Sequence, residues 1–103
     1  MEVGVYMFVL LTYDIELKDE NGNKRLRKVS KFCEKYGIRV QNSVFELNIM
    51  NGDLIKLKTQ LQDIISENDS IRIYKLGNNF QNKVEILGKF EKIEISSDNT
   101  FIF

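Results

Sequence analysis

Tyr6-Met7-Phe8-Val9-Leu10-Leu11-Thr12-Tyr13 is an unbroken, mostly apolar run that stops at Asp14. The run is too short for an independent helix and rich in strand formers, so it predicts a central strand covered on both faces. A carboxylate is thereby delivered to the strand's end. Residues 15–23 are polar, with Asp19-Glu20-Asn21-Gly22-Asn23 as a turn and Asn23 as the cap of a helix. In that helix Leu26, Val29, Phe32, Cys33 and Tyr36 recur at helical spacing and make one buried stripe. Lys24, Lys28, Lys31 and Lys35 line another face, and Gly37 ends the helix.

From Ile38 to Ile49 two alternating sets appear, Val40 and Val44 on one face and Phe45, Leu47 and Ile49 on the other. The polar Gln41-Asn42-Ser43 between them marks an irregularity, read as a bulge. Asn51-Gly52-Asp53 reads as a turn, and Leu54, Leu57, Leu61, Ile64 and Ile65 give a second helix its apolar stripe. Ser70 to Leu76 alternates as a further strand and closes at Gly77-Asn78-Asn79. These elements approach a ferredoxin-like βαββαβ sandwich, an α+β fold, if the long middle segment is two strands. It splits either at Asn42 or near Asn48 to Gly52.

The tail, residues 81–103, adds strand candidates at Lys83 to Gly88 and Thr100 to Phe103. The last is too apolar to dangle, and a sheet edge is the natural place to bury it. An edge on a second subunit serves, and a two-fold homodimer is the commonest closed assembly. Residues 1–5 precede Met7, a second possible start, and read as an N-terminal extension. The 103 residues contain no repeat, no low-complexity tract and no Pro, which fits one domain over 1–103.

Composition narrows the chemistry. The single Cys33 cannot close an internal disulfide and argues for a reducing, cytoplasmic setting. No apolar run approaches bilayer length and no signal-peptide pattern opens the chain, so no membrane role is expected. Net charge is zero, with 15 basic and 15 acidic residues. It is unevenly spread: Lys24 to Arg39 holds seven basic residues against Glu34 alone, a local charge of plus six. That stretch is either a solvated helix face or a collector of phosphates.

With no His, the Ser-His-Asp and Cys-His arrangements and histidine metal sites are excluded. No glycine loop of the phosphate-cradling kind is present, so nucleoside triphosphate hydrolysis has no support. Carboxylate chemistry remains. A lone Asp at a strand end starts a turn about as often as it binds a ligand. Mg²⁺, however, needs only one or two protein carboxylates when phosphate oxygens complete its shell, and two copies of Asp14 in a dimer would supply the pair. Glu16, Asp19, Glu20 and Glu46 are further oxygen donors, expected on the solvated surface. Cys33 belongs to the apolar stripe and is expected in the core.

For nucleic acid, Arg25, Arg27 and Arg39 suit bidentate phosphate contacts, and Lys24, Lys28 and Lys31 add point charge along the same helix. Ser43 offers a hydroxyl to phosphate or satisfies a nearby backbone group. Phe45 alternates with Leu47 and Ile49, which favours a core or dimer-interface role over base stacking.

The chain resembles the small CRISPR-associated Cas-two family. The likeness rests on Val9-Leu10-Leu11-Thr12-Tyr13-Asp14-Ile15, on Lys24-Arg25-Leu26-Arg27-Lys28-Val29, and on Tyr36 to Glu46. It continues through Asp69-Ser70-Ile71-Arg72-Ile73-Tyr74 into Gly77-Asn78-Asn79-Phe80 and Val84-Glu85, and the Gly-Asn-Asn-aromatic segment is most similar to the subtype I-C branch. The resemblance implies a ferredoxin-like homodimer with an extra C-terminal strand on the partner's sheet. It also implies an Mg²⁺ site from Asp14 of both chains, with Tyr13 and Phe45 supporting the site or the dimer. Family members are described as metal-dependent endonucleases on RNA or duplex DNA, and as scaffolds that hold a DNA duplex with an integrase partner during spacer acquisition. Arg25, Arg27, Arg39, Ser43 and Phe45 fall where the family's functional residues lie. A structural DNA-binding adaptor without nuclease activity is the alternative, and a small-molecule regulatory module of the same fold is the remote one.

Overall fold

The first strand forms where the apolar run predicts it. In chain order the elements are β1 (Tyr6–Asp14), α1 (Gly22–Glu34), β2 (Gly37–Gln41), β3 (Val44–Met50), α2 (Asn51–Ile64) and β4 (Ser70–Lys75). The structure is a computed structural model and describes residues 5–77 and 84–88. The four strands make one antiparallel sheet in the order β2-β3-β1-β4. That is the βαββαβ arrangement of a ferredoxin-like sandwich, with β1 central as expected.

The middle segment splits at Asn42-Ser43. β2 and β3 pair across that turn, and their register slips between Arg39 and Gln41, which locates the bulge. β3 then continues through Asn48 and passes at Met50 directly into α2. Asn51-Gly52-Asp53 is therefore the helix's first turn rather than a separate one. Asp53 complements the positive helix start there.

Two boundaries of α1 differ from the sequence reading. It begins at Gly22, and Asn23 lies inside its first turn. Asp19 organises the start instead: its Oδ1 accepts the Asn21 N–H at 2.9 Å, and its carbonyl accepts the Gly22 N–H at 3.3 Å. At the other end Gly37 does not cap the helix by a left-handed turn. It is the first residue of β2, where an added Cβ would overlap the Glu46 carbonyl oxygen, so only glycine lets the two strands close.

Both helices cover one face of the sheet. Val9, Leu11 and Tyr13 of β1 and Phe45, Leu47 and Ile49 of β3 pack against Val29 and Cys33 of α1 and the leucines of α2. Cys33 is fully buried, and burial pushes its thiol up to about 12, so no thiolate is available at neutral pH. Phe45 is wholly core.

By alternation, the other face carries Phe8, Leu10, Thr12 and Asp14 from β1, Glu46 from β3, and Ser70, Arg72 and Tyr74 from β4. Glu46 corrects the expectation of a solvated carboxylate: it is 8% exposed, and its Oε1 has no hydrogen-bond partner among the described residues. It sits opposite Leu10 on one side and Ile38 on the other, which removes water without supplying donors. Burial accordingly raises its pKa. Since the folded value is raised, the fold holds Glu46 best when protonated and loses that stability as pH rises through the shifted value. Glu46→Gln is thus expected to stabilise the chain at about pH 8 by roughly 1 kcal/mol, or about 4 °C in Tm, and to change nothing at about pH 4. Thermal denaturation at both pH values checks this.

Of the tail, residues 84–88 form no strand, and Gly88 takes a φ of 88°, a left-handed turn that interrupts the extended run. The expected extra strand at Thr100 to Phe103, and the extension apart from Val5, lie outside the described residues. Among the described residues no helix is long and apolar enough to cross a membrane.

Candidate functional site

Asp14 is exposed, flanked by two buried neighbours, Tyr13 at 5% and Ile15 at 7% exposure. Alternation between these anchors forces its side chain out of the core. Tyr13 is pinned twice. Its N–H donates to the Ser43 carbonyl at 3.0 Å, and its hydroxyl donates to the Asn42 carbonyl at 3.1 Å. Burial raises the phenol's pKa, so it stays a neutral donor. Its ring centroid lies 6.2 Å from that of Phe45. Tyr13 and Phe45 thus support the Asp14 end of β1 from within the core, and Ser43 acts there through its backbone.

Behind Asp14, a charged staple fixes the loop. The Asp69 side chain is fully buried and accepts the Arg25 Nε–H, the Glu16 N–H and the Ser66 N–H, each at 2.8 Å. Arg25 also donates through Nη2 to Asp19 at 2.8 Å and to the Glu16 carbonyl at 3.2 Å. The Arg25 guanidinium, with the two backbone donors, holds the Asp69 carboxyl down at about 2. Arg25, only 13% exposed, therefore joins the loop after β1 to α1 and to the turn before β4. The expected phosphate contact at Arg25 gives way to this structural role, because two carboxylates already fill its donor fork.

The remaining basic residues divide. Arg39 is half-exposed; its Nη2 donates to the Ser30 hydroxyl and lies 3.8 Å from Glu34 Oε2, and the guanidinium stands 5.7 Å from the Phe45 ring centroid. Lys24, Arg27, Lys28 and Lys31 lie on α1, all four exposed and with no carboxylate partner among the described residues. This stripe lies on the outer side of the helical layer. Asp14 opens on the opposite face of the sheet, so adjacency in sequence does not make them one surface.

What Asp14 does share is a shallow cleft of about 250 Å³ lined by Thr12, Tyr13, Asp14, Ser70, Arg72 and Tyr74. The pairing of β1 with β4 builds it: Thr12 stands opposite Arg72, and Asp14 opposite Ser70. Sequence reasoning does not single out Ser70, Arg72 and Tyr74 as site residues. Their alternation with Ile71 and Ile73 is visible in the sequence, but not the strand they pair with.

The family model for the CRISPR associated protein Cas2 matches residues 7–84. The chain belongs to the Cas2 family. It is 48% identical over 96 residues to a protein of Halalkalibacterium halodurans named CRISPR-associated endonuclease Cas2, covering 92% of this chain and 100% of that one. A protein of Nitratidesulfovibrio vulgaris named CRISPR-associated endoribonuclease Cas2 is 45% identical over 83 residues, 80% of this chain and 81% of that one. The crystal structure of Streptococcus pyogenes Cas2 at pH 6.5 superimposes with a TM-score of 0.70 at 51% identity, covering 80% of this chain and 100% of the other. The family match begins inside β1 and ends beyond β4, so it includes both the Asp14 cleft and the lysine stripe. Among Cas2 relatives the names divide between endonuclease and endoribonuclease, which places nuclease activity at the level of the family.

Proposed function

We propose that this Cas2-family chain is a cytoplasmic CRISPR adaptation protein. It works as a homodimer that scaffolds nucleic acid during new-spacer integration with an integrase partner, and it carries an Mg²⁺-dependent endonuclease site at Asp14. The Gly77-Asn78-Asn79-Phe80 segment supports its place in the subtype I-C branch.

The observation that carries the reading is the pair of independent surfaces. Asp14 is presented to solvent by buried anchors, and its side chain has no hydrogen bond or ion pair among the described residues, leaving both oxygens available. No group of three or more His, Cys, Asp or Glu side chains gathers among the described residues. Among the described residues the cleft is lined by one carboxylate, Asp14, which suits a hard cation that keeps its waters and shares a second carboxylate with another chain. Bound there with a phosphate, Mg²⁺ would polarise the phosphoryl group and lower the pKa of a water. The chain's own part is to hold Asp14 at a fixed strand end and leave the cleft open to RNA or duplex DNA.

Scaffolding uses the other surface. Lys24, Arg27, Lys28 and Lys31 neutralise phosphates without reading sequence, which is what a protein that accepts spacers of any sequence requires. Because the two surfaces lie on opposite faces, binding as a structural adaptor does not depend on cleavage. Replacing Arg27, Lys28 and Lys31 by Glu is expected to weaken duplex binding at least tenfold at about 0.1 M salt. It should also flatten the salt slope by about 0.9 for each phosphate no longer neutralised. Unchanged affinity and slope would exclude this face as the scaffold. Arg25 is left intact in this variant because it holds Asp69.

A further inference from the structure

A carboxylate repels a phosphodiester, and a divalent cation shared by two Asp14 carboxylates would be balanced by them, so a cation on the chain itself would help to hold the phosphate. Lys24, Arg27, Lys28 and Lys31 stand across the sheet from it, Arg25 is bound to Asp19 and Asp69, and Arg39 faces Ser30, Glu34 and Phe45. The cation that lines the cleft is Arg72. Its Cα is paired with Thr12, two residues along β1 from Asp14, so it is the diagonal neighbour of Asp14 on the same face. Diagonal partners of this kind stand about 7–8 Å apart at Cα, within reach of a long side chain.

Arg72 and Asp14 nonetheless close no ion pair, and no carboxylate neutralises Arg72 among the described residues. Tyr74 lines the same cleft, two residues on along the same strand face. Opposite charges therefore flank a cleft of about 250 Å³ that they leave unfilled. At roughly 30 Å³ per water in the liquid, that space accepts several waters or one hydrated phosphodiester group.

We propose that Arg72 is the phosphate-gripping residue of the Asp14 cleft, its planar fork taking the non-bridging oxygens of a nucleic-acid phosphodiester. The inference rests on the nuclease reading for its purpose, but the phosphate contact stands by itself. In hydrolysis a water oxygen forms a bond to phosphorus as it gives up a proton to solvent, and the bond from phosphorus to one sugar oxygen breaks. The leaving oxygen takes a proton from solvent, and negative charge gathers on the non-bridging oxygens that Arg72 faces. A guanidinium matches those two oxygens bidentately, as a lysine ammonium does not.

Binding and cleavage test it separately. Thymidylyl-thymidine, which carries a single phosphodiester, is titrated into the intact protein with Mg²⁺ while the Arg72 Nε–H resonance is followed. The resonance is expected to shift saturably, and Arg72→Ala to weaken binding at least tenfold, with Arg72→Lys between. A stationary Arg72 resonance, or an Arg72→Ala variant that binds as tightly as the parent, overturns the proposal. In the cleavage assay, Arg72→Ala is expected to lower kcat by about a hundredfold, with Arg72→Lys restoring part and the thermal midpoint unchanged. Loss of kcat only in step with a lowered midpoint would mark Arg72 as structural and also refute the assignment. If the parent protein binds the dinucleotide through Arg72 yet cuts no RNA or DNA, the nuclease reading fails and the phosphate contact remains.

Discussion

Asp14→Asn is expected to reduce Mg²⁺-dependent cleavage of RNA or duplex DNA by at least about a hundredfold, with the fold and the salt-dependent binding of duplex unchanged. The substitution keeps the shape of the side chain and removes its charge. Because Asp14 is exposed and has no partner among the described residues, stability should move by no more than about 0.5 kcal/mol. The effect on chemistry is of another size. Each 1.36 kcal/mol lost from transition-state stabilisation is about tenfold in rate, and a metal's charge on a phosphoryl group supplies several such increments. With one carboxylate per chain, a dimeric site loses both of its charges at once. Initial rates of purified parent and variant in Mg²⁺, alongside sedimentation for assembly state, make the comparison. Undiminished cleavage by the variant would trace the activity to a contaminating nuclease.

The second large effect concerns folding. Asp69→Ala is expected to destabilise the chain by about 3 kcal/mol, a fall in Tm on the order of 15 °C, because it strands the Arg25 guanidinium and two backbone donors. That carboxylate and Arg25 tie together the loop after β1, the start of α1 and the turn before β4, so the loss is felt at all three. pH dependence gives an independent check. The folded-state pKa of Asp69 is depressed from 3.8 to about 2, so its contribution is complete above about pH 4 and disappears as pH falls toward 2. At 1.36 kcal/mol per unit, that contribution is about 2 kcal/mol. Urea denaturation at about pH 7, 4 and 2 should show the parent losing this increment and Asp69→Ala lacking it throughout. Equal midpoints for the two proteins at about pH 7 would reduce the staple to an ornament of the surface.

Much of this protein is written locally. The apolar run from Tyr6 to Tyr13 specifies β1, the stripe from Leu26 to Cys33 specifies α1, and the alternation of Ile71 and Ile73 specifies β4, since each period repeats within a single element. Asp14 at the tip of β1 and the lysine face of α1 are legible for the same reason. Local pattern marks Gln41-Asn42-Ser43 as irregular but leaves open whether the strand splits there or near Asn48 to Gly52, and it does not show the seamless passage from β3 into α2, where turn-forming residues open a helix.

The tertiary structure decided which charges are free and which face each other. Arg25 and Lys28 look alike in sequence, but Arg25 meets a carboxylate 44 residues away and is spent on it. Glu46 reads as a surface acid until Leu10 and Ile38 flank it in neighbouring strands. The basic helix follows Asp14 closely along the chain, yet the sheet stands between them. Arg72, far along the chain, is the residue brought to the Asp14 cleft. Periodicity fixes the face on which a side chain lies within its own element; only strand pairing, set by the packing of the whole core, fixes what stands opposite it.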